Sequence, residues 1–90
     1  KMKIIVLWKK IKILEVEKIE DRYFSKIIVD NYLKIKDEGF PLTLLNNIKV
    51  IDEKLPNIIK NRLPEIEDYN LDFKIAQYIK KQNAKELQII

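Results

Sequence analysis

The chain has 90 residues, with 18 Lys and Arg against 14 Asp and Glu, a formal charge of +4, and neither His nor Cys. This length predicts one domain over residues 1–90, because domains of about 100 residues hold a single core. The lack of His and Cys excludes imidazole general bases, thiol nucleophiles and Cys–His zinc sites. Hydrophobic residues at 47% and charged residues at 36% indicate a globular fold.

The hydrophobic residues fall in short runs. The longest unbroken apolar run, residues 4–8, is far shorter than the roughly 18 residues that cross a bilayer. The N-terminus also lacks the long apolar stretch and the small-residue cleavage site of a secretory signal. We therefore expect a cytoplasmic protein that does not enter a membrane.

Three runs rich in Ile, Val and aromatic residues occupy residues 3–8, 11–17 and 22–29. Each run has the length and composition of a β-strand. Lys9-Lys10 and Glu20-Asp21 are the polar breaks between them. The pattern predicts an antiparallel meander of three strands.

The next segment changes from strand signals to helix signals. Asp30 or Asn31 can cap a short helix that runs to Lys36, and Gly39 stands where a helix ends with positive φ. Pro41 then predicts an extended stretch over residues 42–45. A turn at residues 46–47 and a strand at residues 48–51 follow.

Two more helices are predicted before the end of the chain. Asp52 can cap a helix over residues 55–63 that holds Pro56 in its first turn, and Pro64 ends it before a short helical turn at residues 65–69. Asn70 or Asp72 opens the clearest helix, whose apolar residues are Leu71, Ile75, Tyr78 and Ile79. Residues 86–90 predict a last strand that pairs with the N-terminal sheet. The fold class is therefore α+β, a small curved, barrel-like antiparallel sheet with three or four short helices.

No segment carries a catalytic motif, because the chain has one Gly and no phosphate-binding loop, nucleophile elbow or metal-ligand spacing. Acidic clusters at residues 37–38, 52–53 and 65–68 fall at predicted helix ends or turns. Acidic residues there cap helices or are solvated. We expect no enzyme activity, no cofactor and no bound metal.

Aromatic residues beside basic ones have two interpretations. Tyr23, Phe24 and Tyr32 lie near Arg22, Lys26 and Lys34 and can form a small platform. Within it, Arg22, Tyr23, Lys26 and Tyr32 would grip phosphate and stack a base. Alternatively, Phe24 and Tyr32 belong to the core and the lysines keep the protein in solution. Trp8, the single Trp, is interpreted as a core anchor, with a partner contact as the alternative.

The segment at residues 55–65, Leu-Pro-Asn-Ile-Ile-Lys-Asn-Arg-Leu-Pro-Glu, resembles a signature of the N-terminal subdomain of HipA-type toxin kinases. The Gly-Phe-Pro-Leu-Thr-Leu stretch at residues 39–44 is similar to the stretch that precedes this signature there. Residues 72–76 and 84–89 are similar to the helix and strand that close that subdomain. The resemblance implies a non-catalytic regulator that docks on a kinase-like partner, as the small antitoxin-type protein of a split Hip-type system does. The partner-binding residues it suggests are Ile58, Ile59, Asn61, Arg62 and Glu65. Since neighbouring helical residues point about 100° apart, we expect that Ile58 and Ile59 are not both fully buried, with the alternative that both pack inside.

The same outline, with Trp8 after the first strand and Arg-Leu-Pro at residues 62–64, also resembles HIRAN-like domains. Where that family has a Tyr-x-Phe-x-Tyr strand, residues 23–27 read Tyr-Phe-Ser-Lys-Ile, so two aromatic positions are lost. This resemblance implies an alternative function, binding of single-stranded DNA ends. Arg22, Tyr23, Lys26 and Tyr32 would carry it.

Overall fold

The computed structural model describes residues 2–62, 71–81 and 86–90, with the backbone alone for 71–74. The strands in these residues are β1 (Met2–Trp8), β2 (Ile11–Ile19), β3 (Arg22–Ile27), β4 (Ile51–Asp52) and β5 (Leu87–Ile89). The α-helices are α1 (Tyr32–Asp37), α2 (Asn57–Lys60) and α3 (Leu71–Lys81), and two 3-10 helices span Val29–Asn31 and Leu42–Leu45.

The first three strands form the predicted antiparallel meander, which is confirmed. Between β1 and β2 the chain turns in two residues, Lys9 and Lys10, with φ values of 46° and 69°. Positive φ at both positions matches the right-handed twist of the paired strands.

The sheet has the strand order β4-β3-β2-β1-β5, and every neighbouring pair is antiparallel. The α+β class is confirmed, as is the pairing of the last strand with β1. Since β4 and β5 lie at opposite ends of this order, the described sheet is open and does not form a closed barrel.

One face of the sheet, here the covered face, carries the core. Ile4 pairs with Val16 and Val6 pairs with Leu14, and all four side chains are fully buried. The helices and loops add Ile35, Phe40, Leu45, Leu55, Ile58, Ile59 and Ile75 to the same cluster. The opposite face, here the open face, carries Lys3, Ile5, Glu15, Phe24 and Lys26, which are half-buried or exposed.

A β-bulge adds one further residue to the core. The β1–β2 register shifts between Val6 and Leu7, whose partners are Leu14 and Lys12, so Ile13 is left without a partner in the ladder. A bulge lets two consecutive side chains point to one side. This explains why Ile13 and Leu14 are both fully buried.

Helix α1 ends as predicted. The amide N–H groups of Gly39 and Phe40 donate to the carbonyls of Lys36 and Ile35 at 3.0 and 2.9 Å, and Gly39 has a φ of 84°. The predicted cap is wrong, because Asn31 makes no side-chain hydrogen bond to the helix. Its Nδ2 donates instead to the carbonyl of Lys12, at 2.8 Å.

The extended stretch predicted at residues 42–45 is wrong. These residues form a 3-10 helix in which the N–H of Leu44 donates to the carbonyl of Pro41 and the N–H of Asn46 donates to that of Thr43. Pro41 itself is extended, so the effect of the proline ends at its own residue. Winding the chain brings Leu45 into the core, where it is 4% exposed.

The next two elements are shorter than predicted. The strand is confined to Ile51–Asp52, although the turn at residues 46–47 is confirmed by the positive φ of Asn47. Asp52 caps no helix, because its Oδ1 accepts the N–H of Lys54 at 3.2 Å. Helix α2 begins at Asn57 after Pro56, which is its N-cap, and ends at Lys60.

The last predicted helix is confirmed as α3, in which Ile75 is buried and Tyr78 and Ile79 are half-buried. Asp72 lies inside this helix, and Asn70 is outside the described residues. The predictions of a helix end at Pro64 and of a helical turn at residues 65–69 also fall outside them.

Truncation of Ile59 tests the packing of α2 on the covered face. Ile59→Ala removes a fully buried side chain, so we expect the free energy of unfolding to fall by about 2–5 kcal/mol. Leu33→Ala is the control, because Leu33 is 75% exposed and its truncation should change stability by less than about 0.5 kcal/mol. Urea denaturation of the two variants makes the comparison, and equal losses would contradict the placement of α2.

Candidate functional site

The described part of the segment with the HipA-type resemblance, residues 55–62, folds as α2 and its flanks. Ile59 is fully buried and Ile58 is 7% exposed, so the pair packs inside although Ile58 is not fully buried. Leu55 and Pro56, just before the helix, are buried as well. Other parts of the chain therefore cover α2 on more than one side, so side chains on two sides of this one-turn helix are buried.

The polar residues suggested for partner binding lie elsewhere on this segment. Asn61 and Arg62 are exposed in the turn that follows α2. Glu65 is outside the described residues. The structure thus presents Asn61 and Arg62 to solvent and withdraws Ile59 into the core.

Ile58 is not enclosed by the core alone, because it lines an open cleft of about 180 Å³, here the α2 cleft. Its lining residues are Leu44, Asn46, Asn47, Ile48, Lys49, Asp52, Lys54, Leu55, Pro56, Asn57 and Ile58. Pockets for cofactors and drug-sized ligands usually measure about 300–1,000 Å³. The α2 cleft has room for a single side chain rather than for such a ligand.

The α2 cleft combines an apolar wall with a basic rim. Leu44 is 46% exposed, and Ile48 and Ile58 continue the apolar wall. Lys49, Lys54 and Asp52 give the lining one excess positive charge. The exposed Arg62 adds a second positive charge nearby in the sequence.

The residues suggested for DNA binding are divided between the two faces of the sheet. Arg22 and Lys26 are exposed on the open face, whereas Tyr23 points to the covered face and is 4% exposed. The Lys18 ammonium lies 5.9 Å from the centre of the Tyr23 ring. Tyr32 is half-buried at the start of α1. Tyr23 is therefore not accessible for stacking on a base.

Phe24 is the aromatic residue of β3 that the open face presents. It is half-buried between Arg22 and Lys26, and all three share one face because side chains alternate along a strand. Phe24 belongs to the predicted platform, but the prediction assigns the stacking to Tyr23. The spacing of Arg22, Phe24 and Lys26 at every second position is the signal that favours Phe24.

Glu15 offsets much of the positive charge on this part of the open face. Its Oε1 accepts a hydrogen bond from Lys12 Nζ at 2.8 Å and lies 3.8 Å from Lys3 Nζ. The hydrogen bond from Lys12 lowers the pKa of Glu15, and the charges of Lys12, Lys3 and Lys26 lower it further. The open face is therefore a mixed surface of both charge signs.

Trp8 joins the end of β1 to the end of α1. Its ring packs edge-on against Phe40, with centroids 5.3 Å apart, and its Nε1 donates to the carbonyl of Glu38 at 2.9 Å. Lys9 pairs with the Glu38 carboxylate at 3.4 Å. Trp8 packs against the core, in agreement with its interpretation as a core anchor.

The lowered pKa of Glu15 predicts how the stability of the fold depends on pH. A carboxyl with a lower pKa in the folded chain stabilises the fold above its unfolded pKa, and this stabilisation is lost as the pH falls through the folded value. An NMR titration should show that Lys12→Gln raises the pKa of Glu15, because it replaces the charged donor of this hydrogen bond with a neutral amide. Lys36→Gln, an exposed control on α1, should leave that pKa unchanged. Equal pKa values in wild type and Lys12→Gln would contradict the ion pair.

No helix in the described residues is long and apolar enough to cross a membrane. The same residues hold no group of three or more Asp or Glu placed to bind a metal ion.

Comparison of the chain with protein-family models, with curated proteins and with solved structures found no match.

Proposed function

We propose that this protein is a non-catalytic protein-binding regulator that docks on a kinase-like partner in the manner of the small antitoxin-type protein of a split Hip-type system. The observation that carries the proposal is the α2 cleft, which opens beside the segment that resembles the HipA-type signature. Ile58, one of the residues suggested for partner binding, lines it.

The dimensions of the cleft suit a protein partner. A space of about 180 Å³ accepts one side chain, and an anchor side chain in a pocket is a common centre of a protein interface. Leu44 and Ile48 would contact the anchor on one side and Ile58 on the other. A polar rim around such an anchor completes the usual pattern of an interface.

The charges define what the partner presents. Lys49, Lys54 and Arg62 favour an apolar anchor flanked by acidic residues. Asn61 and Arg62 are exposed after α2 and belong to the proposed contact, as does Glu65 in the signature. Ile59 is fully buried in the core and is not assigned a contact with the partner.

Substitutions at the cleft test this proposal. The binding partner for this test is a kinase-like protein encoded beside this chain. Isothermal titration calorimetry measures its affinity for wild type and for each variant. Leu44→Asp places a carboxylate in the apolar wall and Arg62→Glu reverses an exposed charge of the proposed contact, so each should weaken binding at least about tenfold. Leu33→Asp, at an exposed site on α1, is the matched control and should bind like wild type. Failure of such a kinase to bind, or equal binding by Leu44→Asp, would contradict the proposal.

A second candidate function, binding of single-stranded DNA ends, is favoured by one observation. Arg22, Phe24 and Lys26 lie in a row on the open face, which allows a base to stack between two phosphate contacts. Glu15 and Glu17 lie on the neighbouring strand of the same face and weaken its attraction for phosphate. This function therefore ranks second.

Fluorescence anisotropy with short single strands tests the second function. If it holds, binding weakens as salt rises, with a log–log slope of about 0.7 for each neutralised phosphate. Phe24→Ala should reduce affinity at least about fivefold through the loss of stacking. Lys36→Gln, which removes a distant exposed charge, should bind like wild type. Absence of binding at low salt would exclude this function.

A further inference from the structure

Strand β4 forms one edge of the sheet, and its register determines which backbone groups point outward. Asp52 pairs with Tyr23 and Ile51 with Phe24, and the N–H of Ser25 donates to the carbonyl of Val50 at 2.8 Å. Hydrogen-bonded and non-hydrogen-bonded pairs alternate along an antiparallel ladder. The N–H and C=O groups of Ile51 therefore point away from β3.

This edge is open in the described part of the chain. The backbone groups of Ile51 have no hydrogen-bond partner among the described residues. Its side chain is 49% exposed and that of Val50 is 70% exposed. Ile51 lies beside Phe24 on the open face, where the two form an apolar pair at the edge of the sheet.

We propose that the outer edge of β4 pairs with β4 of a second copy of this chain, antiparallel across a two-fold axis that passes beside Ile51. Each Ile51 then donates its N–H to the other copy's Ile51 carbonyl and accepts the reciprocal bond. The two sheets become continuous through this pair. The proposal does not require the kinase-like partner, although Lys49, beside β4, also lines the α2 cleft.

The charges beside Ile51 favour a second copy in this register. Around a two-fold axis at Ile51, Lys49 of each copy faces Glu53 of the other, which forms two ion pairs of opposite charge. Both side chains are exposed. If the register slips by two residues, Lys49 faces Ile51 instead and both ion pairs are lost. The charge pattern is therefore complementary to itself in one register.

The apolar side chains are arranged in the same way. Across the axis, Ile51 meets Ile51 of the second copy, and each has Phe24 on its other side. The result is an apolar row of four side chains on the joined open faces. Cross-strand aliphatic and aromatic neighbours of this kind stabilise strand pairing.

The same geometry limits the strength of the dimer. The bond from the Lys54 N–H to the Asp52 side chain turns the chain after β4, so Lys49 and Glu53 meet through their side chains alone. A contact with two backbone hydrogen bonds is small, and small interfaces give weak, reversible association. Short edge strands flanked by lysine normally resist pairing, and here Glu53 of the second copy neutralises that lysine.

Charge exchange tests the pairing directly, with the purified chain alone in sedimentation velocity over a wide concentration range. Wild type should pass from monomer to dimer as concentration rises. Lys49→Glu and Glu53→Lys each place like charges opposite one another and should weaken self-association at least about tenfold. The double variant Lys49→Glu/Glu53→Lys should restore wild-type association.

A mixture of the two single variants gives the most specific result. At positions 49 and 53, Lys49→Glu has two acidic residues and Glu53→Lys has two basic residues. The mixture should therefore form a heterodimer more strongly than either variant associates with itself. Unchanged thermal unfolding of the variants shows that they fold. A monomer at every concentration would overturn the proposal, as would dimers that ignore both charge reversals. If wild type associates with itself but does not bind the kinase, the result counts against the proposed function alone.

Discussion

The register of the β1–β3 meander determines which side chains the later segments must cover. Once Ile4 is opposite Val16, alternation sends one set of aliphatic side chains to the covered face and leaves Lys3, Glu15 and Lys26 on the open face. The later segments then have one apolar surface to cover. Their helices and turns supply Ile35, Leu45, Ile59 and Ile75, which complete the core of the described residues.

Elements with strong local signals could be predicted from the sequence. The three N-terminal strands are rich in β-branched residues, α3 has helical periodicity, and Gly39 has the positive φ of a helix end. The middle of the chain lacks such periodicity. Residues 42–45 wind into a 3-10 helix because Leu45 reaches the core in that conformation, and α2 is a single turn between buried flanks. Packing against the sheet, rather than local preference, determines both.

The candidate sites show the same division between local and tertiary information. Whether Tyr23 or Phe24 faces the core depends on how β3 pairs with β2. Tyr23 is opposite Lys18, which lies on the same side of β2 as the buried Val16. The burial of both Ile58 and Ile59 depends on the path of the chain around α2. The α2 cleft lies between residues distant in sequence, such as Leu44 and Ile58. Its existence could not be read from the signature segment alone.

Strand β4 presents the backbone of Ile51 outward, at the edge of the open sheet. Amide hydrogen exchange, measured by NMR in dilute and in concentrated protein, reports whether that backbone is free. The Ser25 amide, bonded to the Val50 carbonyl, should be protected in both. The Ile51 amide should exchange rapidly in dilute protein and become protected as the concentration rises. An Ile51 amide that is already protected in the dilute monomer, or that still exchanges rapidly in a proven dimer, would contradict the account.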